Sequence, residues 1–203
     1  MIAKSLSLAL WLAAGSVAPS PVAAQSAKAW FKQQDYVLPS ANRIVACHGY
    51  GCTRRLAVLV DGAWLEQAGA ALEAGRGSPA AERRALREVV GRYTAYLSRS
   101  IGGRPDAPRS PPQLAGLRGQ MDCLDETANT TSLLLVLEEN GLLVHHRVHD
   151  PESRGFFLDG RYPHFTATVA EKKSGMRWAV DPWSKAPGQR PDILPLAQWR
   201  QDS

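Results

Sequence analysis

The amino-acid sequence predicts an α+β fold, and three features of the chain lead to this prediction. Between residues 62 and 101, apolar residues recur at helical spacing with charged residues between them. Residues 122–140 are predicted as one long helix, rich in leucine and followed by Gly141, a residue that often ends helices. After this helix, short apolar runs separated by turn residues indicate the strands of an antiparallel sheet.

The first 24 residues have the pattern of a signal peptide. Lys4 supplies a positive charge, residues 6–17 are apolar or small, and Val22-Ala23-Ala24 is typical of a cleavage site. The apolar stretch is shorter than the roughly 20 residues that a membrane-spanning helix needs. We therefore expect residues 1–24 to be removed near Ala24, leaving a periplasmic or secreted protein without stable membrane insertion.

Residues 25–110 are predicted as a helical lead-in. Residues 25–43 are polar and irregular. Asp61 is a good N-cap for one helix, and Ser78-Pro79 is a typical start for the next, which ends before Gly102-Gly103. The predicted elements are strands at 44–46 and 56–60 and helices at 62–74 and 79–101.

Residues 111–203 are predicted to form the core that carries the chemistry. The preceding stretch, residues 102–119, is rich in glycine and proline and is expected to be an extended loop. The core is expected to contain the helix at 122–140, strands at 142–148, 164–170 and 177–180, a polar loop at 150–161, and a short helical turn at 196–199.

The net charge of +5 comes from arginine and lysine spread along the chain and mixed with acidic residues. No basic stripe alternates with stacking aromatic residues, so the sequence does not support nucleic-acid binding. Weak attraction to anionic cell-wall polymers or lipid headgroups is compatible with this charge. No cofactor is expected, and the oligomeric state is not predicted.

The chain has three cysteines, an odd number in a compartment that oxidises thiols. Cys47 and Cys52 are close in sequence and favour a disulfide, because Gly49 and Gly51 allow the tight turn it requires. The alternative is a metal site, whose ligands would be Cys47, His48 and Cys52 with one of His145, His146 or His149. In either case Cys123 is left over, and an odd cysteine in a secreted chain is a candidate reactive thiol.

Cys123 lies in the first turn of the predicted long helix, where aligned peptide dipoles lower the pKa of a thiol. The free N–H groups of that turn can also bind the oxyanion of a tetrahedral intermediate. His164 begins a later strand and Asp181 ends the next one. A hairpin would place these two side chains together, as a general base and the carboxylate that orients it.

These residues resemble the bacterial transglutaminase-like superfamily. The resemblance is carried by G-Q-M-D-C-L-D-E at 119–126, P-H-F-T-A-T-V at 163–169 and W-A-V-D-P at 178–182. It implies a papain-like core, in which a nucleophile helix packs on an antiparallel sheet. It also implies roles for Cys123 as nucleophile, His164 as general base and acid, and Asp181 as orienting carboxylate. Gln120 is a candidate oxyanion donor, because glutamine has that role in papain-like enzymes.

The resemblance implies an exported cysteine hydrolase or acyl-transferase that acts on amide or peptide bonds. Its expected substrate is a peptide, a protein or a peptidoglycan peptide. The alternative is a catalytically inactive binding module on the same fold, for a periplasmic protein or a cell-wall partner. Met121 and Asp122 stand where the family commonly has small residues, and Thr166 stands where it often has an aromatic residue. These differences favour the alternative, because a carboxylate beside a thiol raises its pKa.

Overall fold

A computed structural model describes residues 27–155 and 163–202 as a mixed α+β structure with two antiparallel sheets. The described helices are α1 (Ala27–Gln33), α2 (Gly62–Glu73), α3 (Pro79–Ile101), α4 (Cys123–Glu139) and α5 (Leu196–Trp199). The described strands are β1 (Arg43–His48), β2 (Arg54–Leu59), β3 (His146–Arg154), β4 (His164–Glu171), β5 (Arg177–Asp181) and β6 (Asp192–Pro195). A short 3₁₀ helix covers Pro112–Leu114. The predicted α+β class is confirmed.

The three long helices begin where the sequence predicts. The side chain of Asp61 accepts a hydrogen bond from the N–H of Trp64 at the start of α2, and Ser78 accepts one from Ala81 at the start of α3. Asp122 caps α4 in the same way, through the N–H of Asp125. These caps satisfy donors that have no partner within the helix.

The larger sheet has the strand order β3-β4-β5-β6, with every pair antiparallel. In this order β4 and β5 are neighbours, with Ala167 opposite Val180. The hairpin that the sequence predicts between these two strands is therefore confirmed. The smaller sheet is the hairpin β1–β2, in which His48 lies opposite Arg54 next to the turn.

Three predictions about elements were wrong. Residues 25–43 were expected to be irregular but include α1, whose Trp30 and Phe31 are buried. A helix this short is stabilised by packing rather than by its own sequence. Strand β3 begins at His146 and continues to Arg154, with an irregularity between His149 and Glu152 that accommodates Pro151. Strand β6 was not predicted, because its Pro195 argues against a strand except at a sheet edge.

One hydrophobic core joins the two predicted segments of the chain. It contains Ile44 and Tyr93 from the lead-in together with Leu133, Val169 and other residues from the second half. Helix α4 occupies the middle of this core, because 14 of its 17 residues are buried. The lead-in thus packs directly on the helix and sheet that hold the candidate site.

The signal-peptide prediction for residues 1–24 lies outside the described residues. Part of the loop predicted at 150–161 also lies outside them, because the structure describes no residue between 156 and 162. Within the described ranges, every helix is too short or too polar to cross a bilayer.

Candidate active site

Cys123 is the first residue of α4 and is 8% exposed. The residue before it, Asp122, forms a capping box with Asp125, in which each side chain accepts the backbone N–H of the other residue. The first hydrogen bond within the helix runs from the N–H of Glu126 to the carbonyl of Asp122. The N–H groups of Cys123 and Leu124 therefore have no acceptor within the helix and remain available to an anion.

The thiol of Cys123 also contacts the beginning of β4, where the backbone N–H of Phe165 donates a hydrogen bond to the sulfur. Burial nonetheless raises the pKa of the thiol to about 12, and the carboxylates of Asp122, Asp181 and Glu126 act in the same direction. In the resting protein Cys123 is consequently a neutral thiol. A base must remove its proton before or during any nucleophilic attack.

His164 and Asp181 form a buried pair. Nε2 of His164 lies 2.7 Å from Oδ2 of Asp181, and the two residues are 3% and 8% exposed. Burial would raise the pKa of Asp181, but hydrogen bonds from His164, Trp199 and the N–H of Trp183 hold it below its ordinary value. The ionised carboxylate accepts a hydrogen bond from the N–H at Nε2, which leaves Nδ1 as the basic nitrogen of the ring. The predicted proximity of His164 and Asp181 is confirmed.

Two tryptophans that the sequence analysis did not assign to the site enclose His164. The ring of Trp183 lies 4.3 Å from the imidazole and that of Trp199 lies 5.5 Å from it. Nε1 of Trp199 also donates to Oδ2 of Asp181 at 2.7 Å. Trp183 follows the W-A-V-D-P motif directly, which is the one sequence signal for its position. Trp199 is distant along the chain, and only the packing of α5 on the sheet places it here.

Nδ1 of His164 is buried and has no hydrogen-bond partner in the described structure. Buried polar atoms without a partner are rare and are often found at functional sites. Cys123 and His164 lie at the same end of β4, because Phe165, the residue after His164, bonds the sulfur of Cys123. The described structure shows no direct hydrogen bond between the thiol and the imidazole. Catalytic hydrogen bonds are often long or absent in the free enzyme and form when substrate binds.

A cavity of about 580 Å³ opens at Cys123. Its walls are mostly apolar and come from several separate segments: Tyr50, Arg109, Ser110, Pro111, Pro112, Ala115, Asp122, Cys123, Leu124, Pro163, Phe165 and Trp183. Asp122 is the acidic residue of the wall, and its two oxygens accept the N–H groups of Asp125 and Gly51. Arg109 is the basic residue, and the described structure gives its exposed guanidinium no partner.

Gln120 does not face this cavity. Its side chain is fully buried, and Nε2 donates to the carbonyl oxygens of Arg104 and Pro105 at 3.0 and 2.9 Å. Both amide hydrogens thus have acceptors, so we do not assign Gln120 as an oxyanion donor. Its amide instead holds the proline-rich loop that precedes α4.

The turn between β1 and β2 packs against the start of α4. The two carboxylate oxygens of Asp125 accept the N–H groups of Tyr50 and Cys52, at 2.8 and 2.6 Å. The sulfur atoms of Cys47 and Cys52 lie at bonding distance, as the disulfide interpretation expects. A metal site there is not supported, since these sulfurs are bonded to each other.

The histidines at the start of the larger sheet have partners away from Cys123. His146 is fully buried, with Nδ1 2.8 Å from Oε1 of Glu82. His145 bonds through Nε2 to the carbonyl of Arg76 at 2.8 Å. Glu82 also accepts the backbone N–H groups of residues 144, 145 and 146, so this cluster joins α3 to the sheet.

Comparisons with protein-family models, with curated proteins and with solved structures found no significant match in any of the three.

Asp122→Asn is expected to increase the rate of Cys123 alkylation by iodoacetamide about three- to tenfold at pH 8. Asparagine is as good an N-cap as aspartate, so its one oxygen keeps the helix start while a charge that raises the pKa of the thiol is removed, together with the acceptor for the N–H of Gly51. The rate is measured by mass spectrometry of the peptide that contains Cys123.

Asp61→Asn is the matched control, because Asp61 caps α2 in the same way but lies near no free cysteine. An unchanged rate in Asp122→Asn would show that the charge of Asp122 does not control the reactivity of Cys123.

Proposed function

We propose that the protein is an exported cysteine hydrolase or acyl-transferase of the transglutaminase-like type, with Cys123 as nucleophile, His164 as base and Asp181 as orienting carboxylate. The observation that carries the proposal is the unpartnered Nδ1 of His164, beside a helix-start cysteine at the edge of a cavity. The arrangement of α4 against β4 and β5 also supports a papain-like core as the finer description of the fold.

The proposed reaction acts on an amide. The sulfur of Cys123 attacks the carbonyl carbon while Nδ1 of His164 takes the thiol proton, and the N–H groups of Cys123 and Leu124 bind the oxyanion. The carbon–nitrogen bond then breaks, the leaving amine takes that proton from His164, and a thioester remains on Cys123. Water releases the acid and restores the thiol. A second amine in place of water would give transamidation.

The raised pKa of Cys123 is compatible with this sequence of steps, because the proton leaves only as the new bond forms. The ionised Asp181 stabilises the positive charge that develops on His164. The same raised pKa is the specific observation that favours the alternative, an inactive binding module whose cavity holds a peptide without cleaving it.

The decisive experiment is a screen of peptide amides and peptidoglycan peptides with the purified protein, followed by mass spectrometry. We expect cleavage or amine exchange by the wild type, a transient acyl adduct on Cys123, and loss of both in Cys123→Ala. Cys123→Ala that still turns over substrate would contradict the proposal. A peptide bound equally by the wild type and by Cys123→Ala, and cleaved by neither, would establish the binding module.

Arg109→Ala is expected to raise KM about tenfold for substrates that carry a carboxylate near the scissile amide, with a small effect on kcat. Arg109 lines the cavity, and its backbone is held at a φ of 53° while its N–H donates to the carbonyl of Trp183. A non-glycine residue in this conformation is uncommon and is often found at a functional site.

The measurement compares each substrate with its carboxamide analogue. An equal increase in KM for the substrate and for its carboxamide analogue would show that Arg109 does not bind the carboxylate. Arg104→Ala is the control, because Arg104 is an exposed arginine of the same loop that does not line the cavity.

A further inference from the structure

A second pocket, of about 310 Å³, lies at the end of the β1–β2 hairpin next to its turn. It is lined by His48, Arg54, Arg55, Leu56 and Arg118, so four of its five residues are basic or titrate as bases and none is acidic. It shares no lining residue with the cavity at Cys123. Its charge therefore has no part in the reaction proposed above.

The strand register determines which of these side chains can act together. His48 lies directly opposite Arg54, so the two side chains are on the same face of the hairpin. Arg55 lies opposite Cys47, on the other face, and its guanidinium donates to the carbonyl of Asp35 at 2.9 Å. His48, Arg54 and Arg118 are therefore the candidate ligands of this pocket, and Arg55 contributes a further positive charge to its wall.

In both Arg54 and Arg118, Nε is bonded to a backbone carbonyl and the terminal guanidinium nitrogens are left free. Nε of Arg54 donates to the carbonyl of Gly116 at 2.9 Å, and Nε of Arg118 donates to the carbonyl of Ile101 at 2.7 Å. The terminal nitrogens of each guanidinium keep their hydrogens for another acceptor. Neither arginine pairs with a carboxylate anywhere in the ranges that the structure describes.

His48 is 5% exposed, and its Nδ1 has no partner in the described part of the chain. Burial lowers the pKa of His48, and the charges of Arg54 and Arg118 lower it further. Both guanidinium groups are therefore close enough to act on the ring. Arg54 and Arg118 therefore place two cations beside a neutral imidazole in one small pocket.

We propose that His48, Arg54 and Arg118 bind a phosphate group. Once each Nε is bonded, the two guanidinium groups together keep more N–H donors than the two oxygens of a carboxylate can accept, whereas the additional oxygens of a phosphate can accept them. The phosphate belongs either to a small molecule or to a phospholipid headgroup, and the chemistry of recognition is the same in both cases.

The first test uses the unmodified protein and phenylglyoxal, a reagent that modifies arginine. Inorganic phosphate at saturation is expected to slow modification of Arg54 and Arg118 about tenfold relative to chloride at equal ionic strength. Arg43, at the far end of the same hairpin, and the exposed Arg147 should react at unchanged rates. The sites are located by mass spectrometry. Equal protection of all four arginines, or of none, would overturn the proposal.

The second test measures phosphate binding by titration calorimetry. We expect Arg54→Ala/Arg118→Ala to bind about 100-fold more weakly than the wild type, since each lost charge-assisted hydrogen bond accounts for about tenfold. Arg43→Ala/Arg147→Ala removes the same net charge and should retain wild-type affinity. Equal weakening in both double variants would overturn the specific site. Should the first variant fail to fold, the protection experiment on the wild type decides.

Sedimentation with lipid vesicles separates the two sources of phosphate. A lipid headgroup is supported if the protein binds phosphatidylglycerol vesicles, if inorganic phosphate releases it from them, and if it does not bind phosphatidylcholine vesicles. Phosphate binding without vesicle binding supports a small phosphorylated molecule. Cys123→Ala should bind phosphate and vesicles as the wild type does. The phosphate site is therefore tested independently of the proposed enzymatic activity.

Discussion

Asp181→Asn is expected to lower turnover about 10³- to 10⁴-fold, the loss typical of a catalytic triad whose orienting carboxylate becomes an amide. Oδ2 of Asp181 holds the proton of His164 on Nε2. An asparagine can turn its NH₂ group toward Nε2, which places the ring proton on Nδ1 and removes the proposed base. The rate is measured with whichever peptide substrate the wild type cleaves.

Asp192→Asn is the matched control, because Asp192 is directly opposite Asp181 in the sheet and pairs with Lys185 at the surface. It should retain nearly full activity. If Asp181→Asn also kept its activity, His164 would not act as a base through this tautomer. A proton NMR resonance of the His164 ring, shifted downfield in the wild type and lost in Asp181→Asn, would report the hydrogen bond independently of turnover.

Glu82→Ala is expected to destabilise the protein by about 3–5 kcal/mol, the range for removing one partner of a buried charged network. Glu82 is 1% exposed and accepts hydrogen bonds from three successive backbone N–H groups and from His146. Without the carboxylate, these buried donors have no acceptor. The free energy of unfolding is measured by urea denaturation.

Glu88→Ala serves as the control on the same helix. Glu88 pairs with Arg92 and Arg190 at the surface, so its loss should cost less than about 1 kcal/mol. A similar decrease in the free energy of unfolding in both variants would show that the buried Glu82 cluster stabilises the protein no more than a surface ion pair does.

The Glu82 cluster also predicts the direction of the acid dependence. Burial acts to raise the pKa of Glu82, but the bonds from His146, His145 and Val144 hold it below its ordinary value of 4.5. Its contribution to stability is then complete above that value and disappears as the pH falls through the lower pKa of the folded state. Glu82→Gln should therefore show a weaker decline in stability below pH 4.5 than the wild type.

Local sequence signals predicted the elements that form the site. Asp61 and Ser78 were predicted as caps whose side chains act within one turn of the chain, and α2 and α3 begin beside them. Helix α4 begins one residue after its predicted start, because Asp122 is its cap. The order of His164 and Asp181 on two neighbouring strands predicted their contact, because a hairpin requires only a short connection.

The surroundings of the site were not predictable in the same way. The enclosure of His164 by Trp199 and the contact of Asp125 with the β1–β2 turn join residues far apart in sequence. Gln120 shows the converse, because the family resemblance suggested an oxyanion donor whereas its amide points into the preceding loop. Long-range packing determines the orientation of these side chains, and local sequence patterns do not predict it.

Helix α4 has almost no surface of its own, since only Leu124, Glu138 and Glu139 among its 17 residues escape burial. During synthesis the chain emerges from its N-terminus, so α2 and α3 are complete before α4 exists. Strand β1 and helix α3, which both pack on α4, are therefore made before the helix that covers them. The lead-in made alone would accordingly expose the apolar residues that α4 covers, and we expect it to aggregate unless the second half of the chain is present.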